Sequence, residues 1–146
     1  MDHWFTILII KPDAFQHRRE ILQQLSFNGF NVQKARILTP TEQKISLLSE
    51  QPDTTNKFSF LHHMCSGTVM ILRLHARNPS HNPIYHLTAL LGNEDPVVAK
   101  EKYKGEMNQL YQRLRAKFGT DIVRNAFYAS KSWESAICDA AVFDMY

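Results

Sequence analysis

Short apolar runs alternate along this chain with stretches in which apolar residues have helical spacing. Residues 4–10, 30–38 and 68–74 are short, apolar and rich in β-branched side chains, which predicts three β-strands. The intervening stretches repeat apolar residues every three or four positions, which predicts amphipathic helices. The positions expected to face inward are Ile21, Leu22 and Leu25, then Ile45, Leu47 and Leu48, then Phe58, Leu61 and Met64, and finally Ile84, Leu87, Leu90 and Leu91. This order predicts an α/β or α+β fold in which helices cover one sheet.

Residues with special backbone preferences mark where these elements begin and end. Pro12 and Asp13 are expected to open the first helix, because proline and acidic residues suit a helix N-terminus. Gly29 is expected to end that helix, and Ser132 to cap the last one. Residues 118–127 are interpreted as irregular. Because no linker or repeat interrupts the pattern, we predict a single domain over residues 1–146.

Composition narrows the class of protein. The chain has 44% hydrophobic and 21% charged residues, which is typical of a globular protein. Its net charge is +3, and the basic residues are scattered except at Lys100, Lys102 and Lys104, so no nucleic-acid partner is predicted. No apolar run is long enough to cross a membrane, and the start lacks a secretory pattern. With Cys65 and Cys138 far apart, an intracellular, reduced protein without a membrane partner is expected.

Three segments carry recognisable motifs. Lysine, proline and aspartate follow the first strand at residues 11–13, HMCSGTV occupies residues 63–69, and NAFYASKS occupies residues 125–132. Each motif alone is weak, but three in this order with these gaps are specific. Together they resemble the nucleoside diphosphate kinase family over about residues 6–143. The resemblance implies an α+β fold with a ferredoxin-like antiparallel sheet covered by helices.

The resemblance places Tyr128 where the family carries its phosphate-accepting histidine. A neutral imidazole is nucleophilic near pH 7, and the bond it forms with phosphorus keeps a high transfer potential. A phenol, with a pKa of about 10, is largely protonated at neutral pH, and its phosphate ester is too stable to pass the group on. The larger ring also occupies space intended for the γ-phosphate. No catalytic residue is therefore predicted, and a buried structural role for Tyr128 is favoured.

Other family positions are kept in this sequence. By resemblance, Lys11 contacts sugar and phosphate, Arg115 grips the phosphates, and Asn125 holds the ribose. Ser130 matches the serine beside the catalytic histidine, and Asp139 replaces the glutamate that orients it. The first three residues leave weak nucleotide binding with Mg²⁺ open, whereas no cofactor is required.

Further family positions are lost. Thr88 stands in place of a phosphate-gripping arginine, and Glu94 stands in place of a phosphate-binding threonine, where a carboxylate repels phosphate. Ser49 replaces a tyrosine of the preceding helix. For the base-stacking phenylalanine, Phe58 or Phe60 requires a small shift in the alignment, whereas Asn56 or Lys57 aligns without one.

An extended loop or helix insertion is expected around residues 97–114, where this chain is longer than compact family members. The family packs its subunits into trimers and hexamers through this loop, so the insertion disfavours the family hexamer. Apolar residues with helical spacing make it a candidate contact surface for a partner protein, and the alternative is an apolar face folded onto the domain itself. The candidate contact residues are Tyr103, Met107, Leu110 and Tyr111.

Five of the seven histidines lie between residues 62 and 86, near Cys65. Their spacing matches no compact zinc pattern, so surface or capping histidines are favoured and no metal site is predicted.

Three functions follow from these residues. The leading hypothesis is a catalytically inactive kinase-like protein that serves as a structural or protein-binding subunit of a larger assembly, with a cytoplasmic, cytoskeletal or ciliary and flagellar location. The second is a nucleotide-binding sensor module that uses Lys11, Arg115 and Asn125 without turnover. The third is residual phosphotransferase activity, which Tyr128, Thr88 and Glu94 disfavour.

Overall fold

The computed structural model describes residues 4–102 and 113–146. The strands are β1 (Thr6–Ile10), β2 (Phe30–Leu38), β3 (Val69–Ala76) and β4 (Phe127–Ala129). The helices are α1 (Arg18–Phe27), α2 (Glu42–Ser46), α3 (Thr54–Met64), α4 (Pro83–Leu91), α5 (Pro96–Lys102), α6 (Leu114–Phe118) and α7 (Trp133–Val142), with a 3-10 helix at Phe15–His17.

The four strands form one sheet in the order β2-β3-β1-β4, and every neighbouring pair is antiparallel. β1 lies inside the sheet, with Leu8 opposite Leu72 of β3 and opposite Ala129 of β4. Non-consecutive strands are neighbours because helices connect them across the faces of the sheet. This architecture confirms the predicted α+β, ferredoxin-like fold.

Both faces of β1 are buried, which explains why its sequence is a continuous apolar run and does not alternate. Ile7 and Ile9 point into one hydrophobic cluster, whereas Leu8 and Ile10 point into a second cluster on the opposite face. α2, α3 and α7 cover the first face, and α1, α4 and α6 cover the second. The end of β1 is therefore held by helices from both sides, and the residue that follows it has a well-defined position.

Several helix ends follow the predicted chemistry. The Ser132 hydroxyl accepts a hydrogen bond from the Ser135 N–H at 3.1 Å and begins α7, as predicted. Asp53 caps α3 in the same way through the N–H of Asn56. Gly29 follows α1 with a φ of 88°, a backbone conformation that favours glycine.

Three details of the sequence prediction are wrong. The first helix does not open at Pro12 and Asp13, because a turn and the 3-10 helix precede α1. Irregular structure is predicted for residues 118–127, but Phe127 begins β4, a strand too short for its own periodicity to reveal. Leu47 is 65% exposed and Phe58 is 79% exposed, so neither faces the core. α2 is a single short turn, and tertiary packing decides which of its neighbours is buried.

The predicted insertion is helical at both of its ends, where α5 and α6 lie. The four candidate contact residues lie outside the described residues, so their role stays a prediction: Tyr103, Met107, Leu110 and Tyr111. Within the described ranges, no helix is long and apolar enough to cross a membrane.

Replacing Ile9 with alanine is expected to lower the free energy of unfolding by about 3 kcal/mol, because Ile9 is fully buried and its truncation leaves a cavity. Urea denaturation measures this change. Ile137→Ala on α7 is the matched control; its side chain is 47% exposed, and we expect a loss below about 1 kcal/mol. If both variants lost the same free energy of unfolding, the burial of Ile9 in the core would be contradicted.

Candidate functional site

A cavity of about 340 Å³ opens where β1 and β4 meet the loop after α6. This volume is at the lower end of the range for small-molecule sites. Its wall includes Lys11, Arg115, Asn125 and Tyr128, which are among the residues singled out from the sequence. Lys11 is separated from the other three by more than a hundred positions in the chain, and the sheet brings them together because β1 and β4 are neighbours.

Lys11 directly follows β1, and its side chain is almost completely buried. Its ammonium donates hydrogen bonds to the Val123 carbonyl at 2.9 Å and to Asn125 Oδ1 at 2.7 Å. It also lies 5.2 Å from the centre of the Phe60 ring. Burial lowers the pKa of Lys11 to about 8, and the nearby Arg115 guanidinium adds to this effect. The lysine is therefore partly deprotonated just above neutral pH.

The loop before β4 is built around Asn125 and Ala126. The Asn125 amide nitrogen donates to the carbonyls of Glu94 and Ile122, at 2.8 and 3.2 Å, while its oxygen accepts from Lys11. Ala126 has a φ of 75°, an unusual value for a residue other than glycine.

This strained conformation at Ala126 is held by two hydrogen bonds. The Ala126 N–H donates to Asp13 Oδ2, and the Ala126 carbonyl accepts from the Lys11 N–H. Asp13 also accepts from His63 at 2.8 Å. Asp13, the last residue of the lysine, proline and aspartate motif, therefore holds the loop before β4 in place. The sequence prediction missed this role.

Arg115 is buried, and protein carbonyls accept from both ends of its guanidinium. Nη1 donates to the Gly92 carbonyl at 3.1 Å, and Nη2 donates to the Phe127 carbonyl at 3.2 Å. Its Nε is buried and has no hydrogen-bond partner among residues 4–102 and 113–146. Burial lowers the pKa of Arg115 to about 10, while the Glu94 carboxylate acts in the opposite direction.

Tyr128 packs in the same cluster as Ile7 and Ile9 and is 4% exposed. Its hydroxyl donates to Asp139 Oδ2 at 2.8 Å and accepts from the Glu50 N–H at 3.0 Å. Burial and the Asp139 carboxylate raise the pKa of Tyr128 well above its usual value, so the phenol stays protonated.

Asp139 on α7 is fully buried and organises the polar groups around Tyr128. Its Oδ1 accepts from the Ser49 N–H at 2.8 Å and from the Ser49 hydroxyl at 2.9 Å. Its Oδ2 accepts from the Ser130 hydroxyl at 2.7 Å in addition to the phenol. The sequence prediction placed Ser130 and Asp139 beside the position of Tyr128 by resemblance, but it did not connect Ser49 with them.

The two other positions described as lost differ in their surroundings. Glu94 lines the cavity and forms a 2.5 Å ion pair with Lys131. The sequence prediction did not single out Lys131. Its hydrogen bond with Lys131 holds the pKa of Glu94 below its usual value. Thr88 is exposed, lies outside the cavity wall and donates back to the Ile84 carbonyl of its own helix.

Two of the four positions considered for the base-stacking phenylalanine lie at the cavity. Phe60 and Asn56 line the cavity, whereas Phe58 and Lys57 do not. Phe60 is only 6% exposed and packs with Tyr128 at a ring distance of 6.3 Å. Its ring therefore belongs to the core more than to an open stacking surface.

Among the described residues, no group of three histidine, cysteine, aspartate or glutamate side chains could hold a metal ion. His63 pairs with Asp13, and His86 interacts with the Asn28 carbonyl at 2.7 Å. The cavity therefore offers no all-protein cage for Mg²⁺, and such an ion would depend on the phosphates of a bound nucleotide. None of the described residues in the cavity wall is histidine or cysteine.

Comparisons with known proteins agree with this geometry. The family profile described as nucleoside diphosphate kinase matches residues 5–144. Human thioredoxin domain-containing protein 6 is 31% identical over 134 residues, which cover 90% of this chain and 38% of that protein. Human nucleoside diphosphate kinase homolog 5 is 31% identical over 132 residues, which cover 90% of this chain and 57% of that protein.

A solved structure of the Aquifex aeolicus nucleoside diphosphate kinase superposes with a TM-score of 0.77 at 26% identity, over 95% of this chain and 93% of that one. The chain thus spans well under two thirds of the first curated relatives and nearly all of the bacterial enzyme. The family profile, these relatives and the shared fold show that the chain belongs to the nucleoside diphosphate kinase family.

Proposed function

We propose that this protein is a catalytically inactive member of its family and serves as a structural or protein-binding subunit of a larger assembly. The observation that carries the proposal is the state of the Tyr128 hydroxyl. It donates to Asp139 and accepts from the Glu50 N–H, in a site where its pKa is raised. A protonated phenol with both hydrogen-bonding roles in use is a poor nucleophile.

Two neighbouring residues support a structural role for Tyr128. By resemblance to the family, Asp139 and Ser49 are both smaller than the residues they replace, whereas Tyr128 is larger. In the structure, the Ser49 hydroxyl lies 3.4 Å from the phenol oxygen, and both groups contact Asp139. The volume gained at one position is thus matched by volume lost at its neighbours, as a packed core requires.

The cations of the cavity support the same proposal. Lys11 and Arg115 direct their donors at carbonyls of the protein itself. Glu94 adds a carboxylate to the cavity wall, where its pair with Lys131 is solvent-exposed. A triphosphate would have to compete for donors that are already used and would meet a like charge, which disfavours tight binding.

The assembly and its place in the cell are part of the proposal. The relatives named above are longer than this chain, so a kinase-like domain in them is one portion of a larger polypeptide. We propose an intracellular location within a cytoskeletal assembly such as a cilium or flagellum, by resemblance to divergent members of the family. A second candidate function, nucleotide sensing, is favoured by Arg115 Nε, which is buried in the cavity wall and unpaired within the described part of the chain.

Phosphate transfer from ATP to GDP is the direct test of the leading proposal. We expect no turnover above the rate of a blank reaction, and no phosphoprotein, acid-labile or acid-stable, after incubation with labelled ATP. The Aquifex aeolicus enzyme serves as the positive control for the assay. Turnover by the wild-type protein that is lost in Tyr128→Phe would overturn the proposal, because the phenol would then be the nucleophile.

Tyr128→Phe is expected to lower the free energy of unfolding by about 1–3 kcal/mol, since it removes a donor from buried Asp139 and an acceptor from the Glu50 N–H. Chemical denaturation measures the loss. Tyr85→Phe is the matched control, because Tyr85 is 73% exposed, and it is expected to change stability by less than about 0.5 kcal/mol. An unchanged stability for Tyr128→Phe would argue against a structural phenol.

The sensing candidate predicts a thermal shift with Mg-ADP that depends on pH. ADP at ten times its Kd raises the melting temperature by about 5 °C. The shift should be smaller at pH 9 than at pH 7, because Lys11, with a pKa of about 8, loses its positive charge between them. Lys11→Met should abolish the shift, while Lys57→Met outside the cavity should not. If millimolar Mg-ADP leaves the wild-type melting curve unchanged, this candidate is rejected.

A further inference from the structure

The charged side chains of the cavity wall balance one another. The described part of the wall includes as many acidic as basic residues, namely Glu50, Asp53 and Glu94 against Lys11, Arg115 and Lys131. Lys11 and Arg115 are buried, whereas Lys131 and Glu94 are exposed. A ligand with several negative charges therefore gains little net attraction from this wall.

Glu94 acts as a counter-charge to all three cations of the wall. It forms an ion pair with Lys131, in which Oε1 lies 2.5 Å from Nζ. Burial lowers the pKa of Lys11 and of Arg115, and the Glu94 carboxylate is among the groups that act against this effect in both cases. Glu94 thus neutralises, from within the protein, positive charge that a bound phosphate would otherwise neutralise.

Lys131 can exchange its partner without a rearrangement of the backbone. In the ion pair, the side chains of Lys131 and Glu94 are 59% and 51% exposed, and such exposed pairs contribute little to stability. The main chain at Glu94 is held separately, because its carbonyl accepts from the Asn125 amide at 2.8 Å. Lys11 and Arg115, in contrast, would first have to give up hydrogen bonds to protein carbonyls. Lys131 is therefore the cation of the described wall that a phosphate reaches at the lowest cost.

The uncharged part of the wall suits a ring with polar edges. Phe60, Ile122 and Val123 contribute apolar surface, and Ile122 is 44% exposed. Asn56 and Gln51 bring side-chain amides to the same wall. A heterocyclic base has two apolar faces and hydrogen-bonding edges, and this mixture of side chains is typical of a small-molecule site. The cavity volume of about 340 Å³ favours a small ligand.

We propose that the cavity binds a nucleoside monophosphate in preference to a triphosphate, and that Lys131 leaves Glu94 to bind the single phosphate group. One phosphate group takes the place of one carboxylate at Lys131. Each further phosphate would meet the wall carboxylates, and the described wall offers no second exposed cation to neutralise it. This inference rests on nucleotide sensing, the second candidate function, and names its ligand class.

Two other ligands suit these observations less well. A nucleoside without phosphate would leave the ion pair of Glu94 and Lys131 in place and would use only the uncharged wall. Inorganic phosphate would use Lys131 but neither the amides nor the exposed Ile122. Both ligands are included in the test.

Isothermal titration calorimetry with AMP, ADP and ATP measures the preference. EDTA is present, so that no metal ion masks the phosphate charges. We expect the wild type to bind AMP about tenfold or more tightly than ATP, and adenosine or inorganic phosphate more weakly than AMP. The same series with guanine nucleotides is run in parallel, and the series that binds more tightly is used for the variants.

Two variants test the roles of the ion pair. Lys131→Met is expected to weaken monophosphate binding by about tenfold, because it removes the cation that binds the phosphate. Glu94→Gln is expected to strengthen triphosphate binding more than monophosphate binding, because it removes a like charge. The matched controls are Lys100→Met and Glu101→Gln, which are exposed on α5 outside the cavity wall and should bind like the wild type. Circular dichroism checks that each variant is folded.

Three results would overturn the inference and leave nucleotide sensing standing. They are triphosphate binding by the wild type as tight as monophosphate binding, unchanged monophosphate binding by Lys131→Met, and nucleoside binding as tight as monophosphate binding. If the wild type binds none of the nucleotides, nucleotide sensing is rejected and the inference with it. The phosphate-transfer assay on the same preparations tests catalytic inactivity separately.

Discussion

A carboxylate buried without a cation needs several hydrogen-bond donors, and the structure around Asp139 is arranged to supply them. Ser49 provides its N–H and its hydroxyl, Ser130 provides a hydroxyl, and Tyr128 provides its phenol. Removing any one donor would leave a buried carboxylate oxygen with a missing hydrogen bond, which lowers the free energy of unfolding. This requirement joins the segment after α2, strand β4 and helix α7 at one point, and it fixes the orientation of Tyr128.

The same arrangement determines what the adjacent cavity can do. With the phenol held at Asp139, the described residues of the cavity wall include no histidine or cysteine. Lys11 and Arg115 keep the positions expected of anion-binding residues, yet their hydrogen bonds go to main-chain carbonyls and Asn125. Among the described residues, the charges of the cavity wall are largely satisfied from within the protein. This arrangement is the basis of the proposed structural role.

Basic side chains have different partners at the cavity and on strand β2. In the cavity, Glu94 and Lys131 form an ion pair beside the buried cations. On β2, Lys34 and Arg36 donate to main-chain oxygens of Tyr146 and Phe143 near the end of α7.

The sequence by itself determined the elements that depend on local periodicity and on special residues. The buried strand β1, the amphipathic helix α1 and the Ser132 cap could be predicted because their signals lie within a few positions. The three motifs led to the family resemblance and to the fold. The sequence also identified Lys11, Arg115 and Asn125, because each matches a family position.

Only the tertiary structure decided which of these residues act together. Ser49 and Asp139 are 90 positions apart, and no periodicity links them. The strand β4 is too short to be recognised without its partner β1, and burial of Leu48 but not of Leu47 depends on how α2 meets the sheet. Hydrogen-bond partners and burial are properties of the folded neighbourhood, so the chain order that predicts helices and strands does not predict which carbonyl accepts from a given lysine.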